Sequence, residues 1–298
     1  MRIRFWGTRG NIATPGVRTV ELGGHTTCIE VSRHGGNPLI IDSGTGIIEY
    51  ASQVMSMGKA QSPDRPSPEE TGNLGAEKGG ERPRVFHVII SHFHWDHIIG
   101  FPFFFPIHDA GALIHLYSAF PASMLEARIR SLFDGTYSPL EDLDNLPATI
   151  AFHQLSSTGQ QIDGARVLPF ELDHSEPSFG FRVEANGRSV GVVIDHEARD
   201  NAANARVLEK VHQVNLLVHD AQLTASEYPA RVGDGHSSIE AAMANARAAQ
   251  VGALLLTHHD PSHSDDFLRV YLQRQLRAAP RSYPVDIQLA AQGSWYRV

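Results

Sequence analysis

Seven consecutive residues, Ser91-His92-Phe93-His94-Trp95-Asp96-His97, carry three histidines and a carboxylate. They follow the run Val85-Phe86-His87-Val88-Ile89-Ile90, whose β-branched, apolar character predicts a buried strand. The cluster therefore falls where a strand ends and a helix is expected to begin. Neutral imidazoles and carboxylates are the ligands that borderline divalent metals take at neutral pH. A chain turning out of a strand can aim His92 and His94 at one point, and Asp96 with His97 at a second point nearby. One histidine at a strand end reads as a satisfied polar residue; four such groups packed this tightly predict a metal site.

Composition narrows the setting. The chain has 298 residues, 42% of them hydrophobic and 19% charged, with no apolar run long enough to span a bilayer. The first residues lack the apolar core of a secretory signal, and a single cysteine, Cys28, leaves no internal disulfide framework. A cytoplasmic setting without membrane partners is expected. The formal charge is −8 and no basic stripe stands out, which argues against an extended footprint on long nucleic acid. A short or cyclic phosphate ester held by metals stays open. A histidine-built site would account for part of the 17 histidines.

Along the chain, strands are expected near 3–5, 26–31, 38–42, 85–90, 112–117, 149–155, 165–171, 179–185, 189–194, 215–218, 253–257 and, closing the chain, 285–289. Helices are expected over 47–57, 121–133, 202–211, 237–249 and 265–278. Asn186-Gly187 between apolar runs marks a hairpin. About 58–84 the residues turn to Pro, Gly, Ser, Glu and Lys, reading as a flexible surface insertion. Four phenylalanines between Phe101 and Phe105 would form either a wall over the site or plain core. The expected architecture is α/β: an αββα sandwich of two mixed sheets face to face, helices outside, as one domain over 1–298.

The His-x-His-x-Asp-His pattern after an apolar strand resembles the signature of the metallo-β-lactamase superfamily of binuclear metallohydrolases. The wording Ser-His-Phe-His-Trp-Asp-His-Ile-Ile-Gly-Phe-Pro is similar to the branch holding tRNA 3′-processing nuclease and cyclic-phosphate diesterases. The resemblance implies the metallo-β-lactamase fold and further ligands at strand exits. His92, His94 and His174 would hold one metal, Asp96, His97 and His258 the other, and Asp195 would bridge; His259, beside His258, is the alternative last ligand. Asp42, after its strand, resembles the carboxylate that orients the metal loop. Asp173, His196 and Asp260 are candidate partners for ligand imidazoles. The ions are two divalent metals, Zn²⁺ first, with Mn²⁺ or Fe²⁺ as alternatives.

Asp234-Gly235-His236-Ser237-Ser238 is similar to the Gly-His-Ser-Thr segment of the nuclease branch. It implies His236 as the acid that protonates the leaving group, supported by Asp220, with Asp96 both ligating and holding the attacking water. The expected activity is phosphodiester hydrolysis through a metal-bridging hydroxide. Because no basic, Gly/Pro-rich arm is seen, a small or cyclic phosphodiester is the expected substrate. The rivals are a thioester, lactone or β-lactam hydrolase on the same site, and a metal-loaded ligand sensor without turnover. The oligomeric state is left open, a homodimer among the options.

Overall fold

Short runs of β-branched and aromatic residues, punctuated by glycine-rich turns, favour strands over much of this chain. A computed structural model shows how they assemble, describing residues 1–57, 84–136, 140, 142–279 and 285–298. The insertion expected at 58–84 lies outside the described residues, apart from Arg84.

The first half opens with β1 (Arg2–Gly7), β2 (Cys28–Ser32) and β3 (Leu39–Ile41), each antiparallel to the one before. Helix α1 (Gly46–Met57) follows, and β4 (Arg84–Ile89) lies parallel to β3. The one-turn helix α2 (Trp95–Ile98), β5 (Ala112–Ser118), α3 (Ala122–Arg130) and β6 (Thr149–Gln154) complete this half, β4, β5 and β6 being parallel.

The second half starts with three antiparallel pairings among β7 (Gln160–Ile162), β8 (Ala165–Glu171), β9 (Phe179–Ala185) and β10 (Arg188–Val193). Alternation then sets in: α4 (Ala202–Lys210), β11 (Leu216–Asp220), α5 (Ile239–Ala248), β12 (Ala253–Thr257), α6 (Asp265–Ala278) and β13 (Asp286–Leu289). Strands β10 to β13 run parallel. The chain does not close on β13 as expected: β14 (Trp295–Arg297) follows and pairs with β1. Two seven-stranded mixed sheets result, β14-β1-β2-β3-β4-β5-β6 and β13-β12-β11-β10-β9-β8-β7. The αββα sandwich expected from the sequence is the fold observed.

Between the sheets, Ile3, Phe5, Ile41, Ile89, Phe181, Val192 and Val218 make a shared apolar core. Separate cores bury α1 and α3 on one outer side and α4 to α6 on the other. Phe101 and Phe104 are fully buried in the first of these, whereas Phe103 and Phe105 are about half exposed, so the phenylalanine stretch is half core. None of the described helices is long and apolar enough to cross a membrane. Because β3, β4, β10, β11 and β12 run parallel within their sheets, the exits of these strands gather by sheet, where ligand sites of α/β folds form.

The inner face carries one polar intrusion. His87 is buried, stacked on His115, with Nδ1 3.2 Å from the Tyr117 hydroxyl. Burial, and then the neighbouring His115, push its imidazole from 6.5 down to about 4. Its neutral form is thus favoured by folding, and the unfolded chain binds this proton first. Stability is full above pH 6.5, falls by about 3 kcal/mol as pH drops towards 4, and loses no more to this group below that. Urea unfolding between pH 7 and 4 should show the fall, and His87→Gln should flatten it.

Candidate metal centre

Most of the side chains that meet here sit where a strand stops, with His94, Asp96 and His97 at α2 and His236 in the loop before α5. Asp42 follows β3, His92 follows β4, His174 follows β8, Asp195 follows β10, Asp220 ends β11 and His258 follows β12. Three of these turn sharply, with Asp42, Asp195 and His258 at φ 63°, 58° and 60°. Left-handed backbone at non-glycine residues costs on the order of 1–3 kcal/mol each and concentrates at functional sites.

The side chains converge in three overlapping groups. His92, His94, His174 and Asp195 form one; Asp96, His97 and His258 form another; Asp195, Asp220, His236 and His258 form the third, ligand atoms within each lying within 4.8 Å of one another. Asp195 is the hinge between groups: its Oδ2 is 2.9 Å from His97 Nε2 and 3.4 Å from His258 Nε2. Its Oδ1 is 3.9 Å from His174 Nε2 and 3.7 Å from His236 Nδ1. His94 Nδ1 and His174 Nε2 face each other at 3.2 Å.

Whether this set suits a divalent ion is tested by the outward nitrogens. His97 Nδ1 lies 2.8 Å from Asp42 Oδ2, His92 Nδ1 3.1 Å from Ser91 Oγ, and His174 Nδ1 3.0 Å from the Gly235 carbonyl. Protons on these three nitrogens leave the Nε2 lone pairs aimed inward, the tautomer that ligating imidazoles need. Correspondingly, His92 Nε2, His97 Nε2 and Asp195 Oδ2 are buried without a hydrogen bond. His97 Nε2 and Asp195 Oδ2 approach closely yet do not align as donor and acceptor. Such unmet buried atoms are expensive unless a ligand completes them, and imidazole with carboxylate is the donor set of a borderline divalent metal. The residues fit the ion.

The buried carboxylates draw positive charge into the cluster, which protons on the imidazoles supply or a bound cation would supply in their place. Burial opposes charge on His258, but Asp195, Asp220 and Asp96 outweigh it and push the imidazole up to about 10. Burial likewise opposes charge on His97, where Asp96, Asp195 and Asp42 prevail and hold it well above the usual histidine range. Burial opposes the Asp195 carboxylate too, yet His258 and His97 keep it well below the carboxylate range. His92, dominated by burial and then by His97, is pushed well down.

Within the third group, His236 pairs with Asp220. Its Nδ1 is 2.9 Å from Asp220 Oδ2, and although burial opposes it, Asp220 and then Asp195 raise the imidazole. Asp220 is fully buried and also accepts from the backbone N–H of Ser237 and of Gln222.

Other expected residues lie elsewhere. His258 rather than His259 joins the cluster; His259 is buried with neither ring nitrogen hydrogen-bonded to a side chain, and burial followed by Arg9 pushes it to about 3. Asp173 is taken up by Arg199 and Asn201, His196 by Asn204 and the Asp173 backbone, and Asp260 by Ser262. None of these three braces a grouped imidazole.

Residues without a signature in the sequence also matter. Asn11 donates its backbone N–H to Asp96 Oδ2 at 2.8 Å, and Gln222 Nε2 donates to Asn11 Oδ1 at 3.1 Å. Buried Glu197 accepts from the Tyr228 hydroxyl and from the backbone N–H of Gly233 and Gly235. It thereby fixes the loop that presents His236 and the carbonyl bracing His174. Gly235 has φ +85°, and a Cβ there would fall 2.0 Å from His174 Nδ1. Gly235→Ala is expected to displace His174 and lower metal affinity about 10–100-fold, the range for disturbed support of a ligand, as competition with a chromogenic chelator would show.

Known proteins resemble this chain in sequence and in fold. A description of the beta-lactamase superfamily domain matches residues 65–259, more than half of the chain. Ribonuclease Z of Ignicoccus hospitalis is 25% identical over 249 residues, covering 68% of this chain and 79% of that protein. Ribonuclease Z of Mycobacterium tuberculosis is 26% identical over 274 residues, covering 88% and 86%. Among solved structures, Zn²⁺-bound PqqB from Methylobacterium extorquens aligns with a TM-score of 0.67 at 13% identity, over 100% of both chains. Short-form human tRNase Z aligns at 0.62 and 19%, over 100% of this chain and 99% of the other, and shares the fold. Motif, sheet order, and the match running from before β4 to His259 agree, and the chain belongs to the beta-lactamase superfamily.

Proposed function

We propose that this chain is a metal-dependent phosphodiester hydrolase with a binuclear centre. The observation that carries the reading is Asp195, common to two ligand groups, with the His236–Asp220 pair directly beside it. His92, His94 and His174 would hold one ion, Asp96, His97 and His258 the other, and Asp195 both. Divalent ions there, Zn²⁺ first and Mn²⁺ or Fe²⁺ as alternatives, would supply Lewis acidity and an acidified water.

The chain's own residues do the rest. Asp96, held by Asn11 and close to His258, would orient the attacking water by accepting a hydrogen bond from it. His236 has Nδ1 turned to Asp220, so Nε2 is the nitrogen left to face substrate. Kept protonated by Asp220, it donates from Nε2 to the departing alkoxide. A leaving group that needs a proton suits a phosphodiester of an ordinary alcohol better than an activated thioester.

Substrate size is argued from charge. A net −8 chain is poorly suited to tracking many phosphates, so a small or cyclic phosphodiester is placed ahead of RNA, the substrate class its ribonuclease relatives are named for. The test is turnover of bis(p-nitrophenyl) phosphate by Zn²⁺- or Mn²⁺-loaded protein, abolished by His94→Ala. No turnover with either ion would overturn the reading. Faster cleavage of a 3′-extended RNA than of any small diester would move the substrate to RNA.

A further inference from the structure

We propose a second divalent-metal site, held by His115 of β5 and His153 of β6 on the inner face of the first sheet, apart from the rim centre. Alternation puts His87, His115, Tyr117 and His153 on the face that elsewhere carries Ile41, Ile89 and Leu155. Apolar side chains are what that face calls for, and imidazoles there, His87 buried and His115 and His153 half-buried, pay a desolvation cost. Three neighbouring strands departing from the pattern at one place is the kind of local conflict that marks function.

The geometry is that of a chelate. His115 pairs in register with Ala151 and Tyr117 with His153, so the two histidines sit diagonally across adjacent parallel strands. His115 Nδ1 and His153 Nε2 face each other at 2.8 Å. The rim centre shows the same facing arrangement in His94 Nδ1 and His174 Nε2 at 3.2 Å. Imidazoles about 2.0–2.1 Å from a tetrahedral ion have their nitrogens roughly 3.3 Å apart. The pair therefore has only about half an ångström to open.

The surroundings hold both rings ready. His87 stacks on His115 with centroids 5.4 Å apart, and Tyr117 stacks on His153 at 4.7 Å. His87 itself has Nδ1 engaged by the Tyr117 hydroxyl at 3.2 Å, while its Nε2 lies 3.8 Å from Asp163 Oδ2. Among the described residues no carboxylate pairs with His115 or His153, so nothing there favours protonation over a cation. Burial, with His153 added for His115, lowers both imidazoles and leaves them neutral at neutral pH. Both are half-buried, so water can fill the remaining coordination positions. Two imidazoles and water suit Zn²⁺, Ni²⁺ and, most tightly, Cu²⁺.

The experiment uses the full chain with its rim centre first filled with Zn²⁺, then dialysed against micromolar Zn²⁺. The wild type is expected to retain one ion more than either His115→Phe or His153→Phe. Its thermal midpoint should rise with added Zn²⁺ while both variants stay flat, as binding to the folded state requires. Phosphodiester turnover should be unchanged in all three. Added Cu²⁺ should give an electron paramagnetic resonance spectrum split by two imidazole nitrogens, lost in both variants. Equal ion counts and equal midpoint shifts in the three proteins would sink the proposal. If both variants fail to fold, the wild-type copper spectrum decides, and absence of two-nitrogen coupling overturns it.

Discussion

Replacing His236 by alanine is expected to lower kcat about 10²–10⁴-fold, the contribution of a positioned general acid, on a phosphodiester whose leaving group is an ordinary alkoxide. On bis(p-nitrophenyl) phosphate the same variant should lose far less, because p-nitrophenoxide departs without needing a proton. The contrast isolates the role: a variant that had merely disturbed the ligand cluster would slow both substrates alike. Asp220→Asn provides the pH readout. Asp220 is the largest influence holding His236 protonated against burial, so removing its charge lets the imidazole lose its proton at lower pH. The basic limb of the kcat profile should then move towards acid. Equal loss on both substrates, with an unmoved basic limb, would remove His236 from the proton-donating role.

Much of the layout was legible because the strands announce their own ends. β8, β12 and α6 fall on the expected residues; the apolar runs mark where strands end, and the family resemblance picks out His174, Asp195 and His258 at those ends. Period and turn chemistry are local signals, and an αββα sandwich repeats them faithfully. What escaped was non-local. Glu197 sits two residues after Asp195 and looks like any acidic residue in a turn. Its importance comes from Gly233 and Gly235, some 36 residues away, whose backbone N–H groups it accepts. Asn11 meets Asp96, and Gln222 meets Asn11, only after both sheets have formed. β7 and β14 are three residues each, too short to show alternation, and exist because a neighbouring edge is there to pair with. His87 was hidden inside an apolar run, where one polar residue in six does not disturb the period. Of the doublet His258-His259, only His258 takes the left-handed backbone after β12, and only its ring lies in the cluster.

Asp195→Asn should be the more damaging change, exceeding the general-acid range and leaving no measurable turnover with either substrate. Asparagine tolerates the left-handed backbone at this position and nearly preserves the shape, so the effect can be assigned to charge and ligation. Asp195 contributes to two of the ligand groups, whereas His94 contributes to one. Gel-filtered Asp195→Asn protein should therefore retain less metal than His94→Ala, and both less than the wild type, by elemental analysis. The ordering matters more than any single figure. If the two ion positions were independent, losing a ligand of one would leave the other filled, and the two variants would hold equal metal. If Asp195 joins them, its loss empties both, since His97 and His258 also lose the carboxylate that faces them at 2.9 and 3.4 Å. An Asp195→Asn protein that keeps the wild-type metal content would dismantle the shared-carboxylate reading, whatever its activity.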